Sequence, residues 1–136
     1  MINSQLFRWP IRVYYEDTDA GGVVYHSQYL NFMERARTEW LRSLGFEQAA
    51  LRETSNILFV VHSLQIQFKK SARFDDLLSV ETQLMQLGLG SFECSQQIVK
   101  EQEPLIQAQV KIACVNATTY KPTGIPALIK LSMESI

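Results

Sequence analysis

The 136-residue sequence predicts an α+β fold in which an antiparallel sheet of about five strands wraps around one long helix. Three observations lead there. Apolar residues recur at helical spacing over one long stretch, residues 27–44. Four later stretches alternate apolar and polar residues with a period of two, the mark of strands with one buried face. The turn signals between them lie too close together for parallel crossovers, so the strands are expected to pair as antiparallel hairpins.

Taken in order, residues 10–16, PIRVYYE, set Ile11, Val13 and Tyr15 against Arg12, Tyr14 and Glu16, and predict a first strand. A polar loop with two glycines follows. In the helical stretch Tyr29, Met33, Ala36, Trp40 and Leu44 fall at steps of four, three, four and four, and Leu30 and Leu41 widen the stripe. Asn31, Glu34, Arg35, Thr38, Glu39 and Arg42 lie mostly opposite, which makes an amphipathic helix of about five turns. Phe32, Met33 and Trp40 read as core or as the wall of a tunnel. Ser27 suits the N-cap, where a hydroxyl accepts from an early backbone N–H. Gly45 suits the position after the last turn, where positive φ is needed. Residues 46–54 predict a short second helix.

From about residue 58 the pattern is strand-like almost to the end. His62, Leu64, Ile66 and Phe68 form one set, and Val80, Thr82 and Leu84 a second. Phe92, Cys94, Gln96 and Ile98 form a third, and Ile106, Ala108, Val110, Ile112 and Cys114 a fourth. Turn signals separate them at Arg73–Asp76, Gly88–Gly90 and Glu101–Pro104. The helix must bury its wide stripe, and the concave face of the sheet is the natural partner.

Composition narrows the functional classes. Hydrophobic residues make up 46% and charged residues 20%, which suits a globular chain with its own core, and a single domain over residues 1–136 is expected. A net charge of −1 offers no overall attraction to nucleic acid or to an anionic membrane. The expected partners are therefore small molecules or proteins. The two cysteines, Cys94 and Cys114, form no Cys-x-x-Cys pair and read as core thiols in a reducing compartment. No run approaches the roughly 18 apolar residues that span a bilayer. MINSQLFRWP has no apolar signal segment, so a cytoplasmic location is expected.

Residues 14–29, YYEDTDAGGVVYHSQY, concentrate the chemistry, and three readings fit the residue types. The first is a polar turn, since Asp and Gly build turns and acids favour a helix start. It accounts poorly for Val23, Val24 and Tyr25 before the cap. The second is a metal site from Glu16, Asp17, Asp19 and His26. Its residue types suit a divalent ion, but no second histidine is near and the acid spacing is not that of a calcium loop. The third is a carboxylate at a helix N-terminus beside a substrate cleft. Gly21 and Gly22 lack Cβ, so a ligand can approach the backbone. The first helical N–H groups lack intrahelical partners and carry the positive end of the dipole. Such donors stabilise an oxyanion, and a nearby carboxylate supplies a base or nucleophile.

The stretch RVYYEDTDAGGVVYHSQYLNFMERARTEWL resembles the hotdog-fold thioesterases of the 4-hydroxybenzoyl-CoA thioesterase type. Within them it is most similar to the acyl-CoA thioesterase branch encoded with the Tol–Pal envelope system. The resemblance runs on through FVVHSLQIQFKKSARFDDLL to VKIACVN, nearly the whole chain. It implies a hotdog fold, hydrolysis of acyl-CoA or acyl-carrier-protein thioesters, and no cofactor or metal. It makes Asp19 the catalytic carboxylate, either as general base or as a nucleophile forming a mixed anhydride. It puts the His26 backbone N–H against the thioester carbonyl, with the side chain as a weaker second contribution. Tyr25 and Tyr29 match the aromatic pattern of the branch. It also implies a homodimer, or a homotetramer of paired dimers, with sites at the interface.

Other residues carry plainer readings. Asp17 reads as a turn acid and Glu16 as a solvated one, and His62 as a partly buried side chain or a pocket wall. Lys69, Lys70 and Arg73 form a basic cluster that reads either as a solvated strand edge or as a seat for coenzyme A phosphates or an acyl carrier protein. The competing function is a weakly catalytic or non-catalytic adaptor for acyl carrier protein or phospholipid-synthesis enzymes. A hotdog dehydratase would need a histidine–acid motif that this sequence does not contain.

Overall fold

A computed structural model of the chain describes residues 5–135. The elements run β1 (Phe7–Arg12), a 3₁₀ turn (Tyr15–Asp17), α1 (Gln28–Ser43), α2 (Gln48–Ser55), β2 (Ile57–Phe68), β3 (Leu77–Leu87), β4 (Ser91–Lys100), β5 (Glu103–Asn116) and α3 (Ala127–Glu134). The five strands form one sheet in the order β1-β3-β4-β5-β2, and every pairing is antiparallel. The α+β class with a five-stranded antiparallel sheet is therefore as expected.

The inner face of the sheet follows the period-two sets. Val80, Thr82 and Leu84, then Phe92, Cys94, Gln96 and Ile98, then Ile106 to Cys114 by alternate residues are all buried. Against them α1 buries Tyr29, Phe32, Met33, Ala36, Trp40 and Leu41. Each large apolar side chain so withdrawn contributes about 1.5–3 kcal/mol of transfer free energy. Two polar groups lie within this layer. Gln96 donates from Nε2 to the Thr82 hydroxyl (2.9 Å) and to the Met33 carbonyl (3.1 Å), and its Oε1 accepts from Arg37 (2.9 Å).

Four expectations need correction. The first strand lies earlier, at Phe7–Arg12, and the chain leaves it before Tyr15, which is 77% exposed. The Asp17 carboxylate captures the Tyr14 N–H and winds the chain into the 3₁₀ turn instead. Pro10 has no donor, and it sits where that costs least, on an edge strand. Ser27 stands at the N-cap position but has helical angles, and its hydroxyl makes no capping bond.

His62 is exposed rather than partly buried. The register of β2 shifts between Val61 and Ser63, so His62 is the extra residue of a bulge. The bulge absorbs a phase change: Phe59 and Val61 pair with Cys114 and Ile112, whereas beyond it Leu64 and Ile66 pair with Val110 and Ala108. Finally, α3 was not anticipated. It seals the sheet with Ile129 and Met133, both buried.

Gly45 behaves as expected. It has φ of 95°, its N–H donates to the Arg42 carbonyl (2.9 Å), and Phe46 N–H donates to the Leu41 carbonyl (3.0 Å). This is a Schellman closure of α1.

Candidate active site

The chain between β1 and α1 folds on its own backbone. Asp17 is buried, and its Oδ2 accepts the Tyr14 N–H at 2.8 Å. Its carbonyl accepts the Tyr25 N–H at 2.9 Å. Asp17 is thus the acid that shapes the loop, in line with its plainer reading.

Asp19 opens a tight turn. Its N–H donates to the Val23 carbonyl (2.9 Å), and the Gly22 N–H donates to the Asp19 carbonyl (3.0 Å). The carboxylate Oδ1 accepts the Gly21 N–H at 2.8 Å. Both glycines have a local reason to be there. A Cβ on Gly21 would stand 3.2 Å from Asp19 Oδ1, and Gly22 has φ of 82°. A Cβ on Gly22 would meet nothing within 4 Å, so the space beside this exposed backbone is open.

This turn is pinned to the segment that follows β2. Val24 N–H donates to the Ala72 carbonyl (2.9 Å), and Val23 pairs with Arg73 in an isolated bridge. From the first turn of α1, the buried Tyr29 hydroxyl accepts the Ala72 N–H at 2.9 Å. Burial raises the Tyr29 phenol above its ordinary pKa; the Ala72 bond opposes this, and the charges of Asp19 and Asp76 add to the rise. The loop that carries Asp19 is thus tied, through Val24 and Ala72, to the first turn of α1.

His26 stands just before α1. Among the described residues, no acceptor takes its backbone N–H or that of Ser27. Its ring lies 4.4 Å from that of Tyr25 and edge-on to Phe68 at 6.4 Å, and Phe68 also meets Tyr29 at 6.0 Å. Phe68 belongs to the aromatic cluster around the helix tip. Its alternation with Ile66 suggested a core position, yet it is 51% exposed at the end of β2.

The basic segment divides. Lys70 is committed to Glu103 at 2.8 Å. The backbone N–H of Arg73 donates to Asp76 Oδ2 (2.9 Å), and neither the Arg73 guanidinium nor Lys69 has an ion pair among the described residues. Both Lys69 and Lys70 give their N–H groups to the Leu105 carbonyl. Asp19, Gly21, Gly22, Tyr25 and His26 are all exposed in the single chain. Among the described residues, no three His, Cys, Asp or Glu side chains converge as a metal site would require, and no helix is long and apolar enough to cross a membrane.

Chemically, the arrangement offers one carboxylate with a free oxygen, two unclaimed amide donors at the positive end of a helix, and an aromatic wall. Residues 13–131 match the thioesterase-like superfamily. The acyl-CoA thioesterase YbgC of Haemophilus influenzae is 45% identical over 130 residues, 96% of each chain. The acyl-CoA thioester hydrolase YbgC of Escherichia coli O157:H7 is 44% identical over 94% of this chain and 96% of its own. Among solved structures, a probable thioesterase from Bartonella henselae superimposes with a TM-score of 0.86 at 37% identity, covering 90% of this chain and 100% of its own.

Proposed function

The chain belongs to the thioesterase-like superfamily, and from that premise we propose that it hydrolyses acyl-CoA thioesters with Asp19 as the catalytic carboxylate. The observation that supports this reading is the Asp19 turn, tied through Val24 and Ala72 to Tyr29 in the first turn of α1, next to a His26 N–H that has no acceptor among the described residues. The thioester carbonyl accepts from that N–H, with the dipole of α1 behind it. One such donor is worth about 3–4 kcal/mol of barrier. Asp19 takes a proton from water as it attacks the carbonyl carbon, or attacks directly to give an anhydride that water then opens. In either case the C–S bond breaks and the thiolate departs. The His26 ring adds a contact to the thiol side.

The acyl group lies between α1 and a second copy of the chain. Two features support this. The edge strand β2 is 12 residues long, pairs on one side only, and exposes Val61 and Phe68. The catalytic loop is also open to solvent in one chain, whereas thioester hydrolysis is favoured in a site that excludes water. Lys69 and Arg73, at the same end as Asp19, seat the phosphates of coenzyme A or the acidic face of an acyl carrier protein.

A thiol-release assay over a chain-length series of acyl-CoA and acyl-carrier-protein substrates tests the reading. Turnover of at least one series is expected, and no turnover of either would favour the adaptor role. Reversing the charge of Lys69 and Arg73 to Glu raises KM about tenfold and leaves kcat within about twofold, as expected for phosphate contacts remote from the reacting bond. An unchanged KM returns the cluster to a solvated strand edge.

A further inference from the structure

One side chain links the sheet-end segment, the Asp19 loop and α1. Tyr29, in the first turn of α1, is 3% exposed. Its ring stands edge-on to Phe32 at 6.3 Å and tilted against Phe68 at 6.0 Å. A phenylalanine would fill the same space and make the same ring contacts. The tyrosine brings a hydroxyl out of water as well, which is costly unless that group is bonded. It is bonded: the hydroxyl accepts the Ala72 N–H at 2.9 Å. Ala72 is itself fully buried, and an amide withdrawn from water needs such a partner.

Ala72 uses its two backbone groups in opposite directions. Its N–H turns to Tyr29, and its carbonyl accepts the Val24 N–H at 2.9 Å. Val23, next to Val24, pairs with Arg73, and its carbonyl accepts the Asp19 N–H at 2.9 Å. Hydrogen bonds therefore run in series from the helix to the residue that bears the carboxylate. Along the chain, the path from Asp19 to Tyr29 contains Gly21 and Gly22, which restrain it little. The bonds from Tyr25 N–H to the Asp17 carbonyl and from Gln28 N–H to the Tyr25 carbonyl are local to that path. We propose that Tyr29 is a positioning residue: through Ala72 and Val24 its hydroxyl holds the Asp19 carboxylate in register with the open His26 N–H. The hydroxyl is committed to Ala72 and the ring to the core, so Tyr29 acts on the thioester only through Asp19. Its effect on rate rests on the thioesterase reading, whereas the clamp itself does not.

The test is Tyr29→Phe, which removes the hydroxyl and keeps the ring. Across a chain-length series of acyl-CoA substrates kcat falls about tenfold, while KM stays within about twofold, because aim is loosened and no substrate contact is lost. An unaltered kcat overturns the proposal. A changed KM or chain-length preference also overturns it and makes Tyr29 a pocket wall. In an Asp19→Asn background the same substitution costs no more than about twofold, since groups that act as a unit are non-additive. A full tenfold loss there overturns the proposal in favour of a purely structural effect. Amide hydrogen exchange of the full-length protein follows the clamp without turnover. In the unaltered protein the Asp19, Val24 and Ala72 N–H groups open as one unit. Tyr29→Phe speeds all three about tenfold or more, and Phe46 N–H at the far end of α1 keeps its rate. Separate exchange of the three in the unaltered protein overturns the clamp even if the variant does not fold. If the unaltered protein releases thiol from no substrate, the thioesterase reading fails, and the exchange rates still decide whether Tyr29 holds the loop.

Discussion

The two ends of α1 are finished in opposite ways. At its C-terminus Gly45 turns the chain, and the N–H groups of Gly45 and Phe46 return to the Arg42 and Leu41 carbonyls. At its N-terminus Ser27 offers no side-chain cap, and the N–H groups of His26 and Ser27 find no acceptor among the described residues. Helix ends are normally satisfied by caps or water. The difference teaches that one end is closed by the chain itself, while the other leaves its first N–H groups open to solvent, which is what the proposed oxyanion site would need. The glycines follow the same division. Gly45 completes the helix end, whereas Gly21 holds the Asp19 carboxylate by its N–H.

Substitutions at the two ends test that contrast. Asp19→Asn has the largest effect, a loss of about 10²–10⁴ in kcat, the usual contribution of a positioned base. Thiol release and a thermal melt check it together, and near-parental turnover would remove Asp19 from the chemistry. His26→Pro deletes the N–H itself and is expected to cost about 10²-fold. His26→Ala, which keeps the N–H, costs roughly tenfold or less, since only a side-chain contact is lost. If the two His26 variants lose activity equally, the amide is not the donor.

Gly22→Ala and Gly45→Ala each force a Cβ onto positive φ and lower stability by about 1–2 kcal/mol. Only Gly22→Ala also lowers kcat; an equal kcat for both would erase the functional distinction between the ends. Smallest of all is Ser27→Ala. A working cap is worth about 1 kcal/mol, but this hydroxyl makes no capping bond, so the melting temperature should not move. A clear drop would mean that the helix start is capped after all.

The inner faces of β3, β4 and β5 were readable from alternation because the sheet is covered on one side, which imposes period-two burial over most of each strand. Edges were harder. The alternation of Ile11 and Val13 runs on into Tyr15, and nothing in it announces that Asp17 will capture the Tyr14 N–H and end the strand. In β2, one extra residue at His62 reverses the phase, so residues on both sides of the bulge look inward-facing in turn. The sequence does not announce α3, because ALIKLSME is short and its exposed Leu128 and Leu131 blur the amphipathic pattern. In the site, Asp19 and the two glycines were visible as a motif. The place of Phe68 was not, because it depends on how distant segments meet in space, whereas the contact of Gly21 with Asp19 Oδ1 is local to one turn.

The bonds made by Gln96 bear on how the helix finds its seat. A greasy stripe sliding along a greasy sheet meets nearly equal company at every step, so leucine and valine alone leave the slide almost level. One amide joined to Thr82, Arg37 and the Met33 carbonyl works as a dowel pin. Displacing α1 by a single residue would strand several dry polar atoms at once, a cost that no neighbouring hydrocarbon can refund. The notch so created fixes where the helix tip comes to rest against the sheet, about seven residues away from Met33, and with it the position of the proposed site.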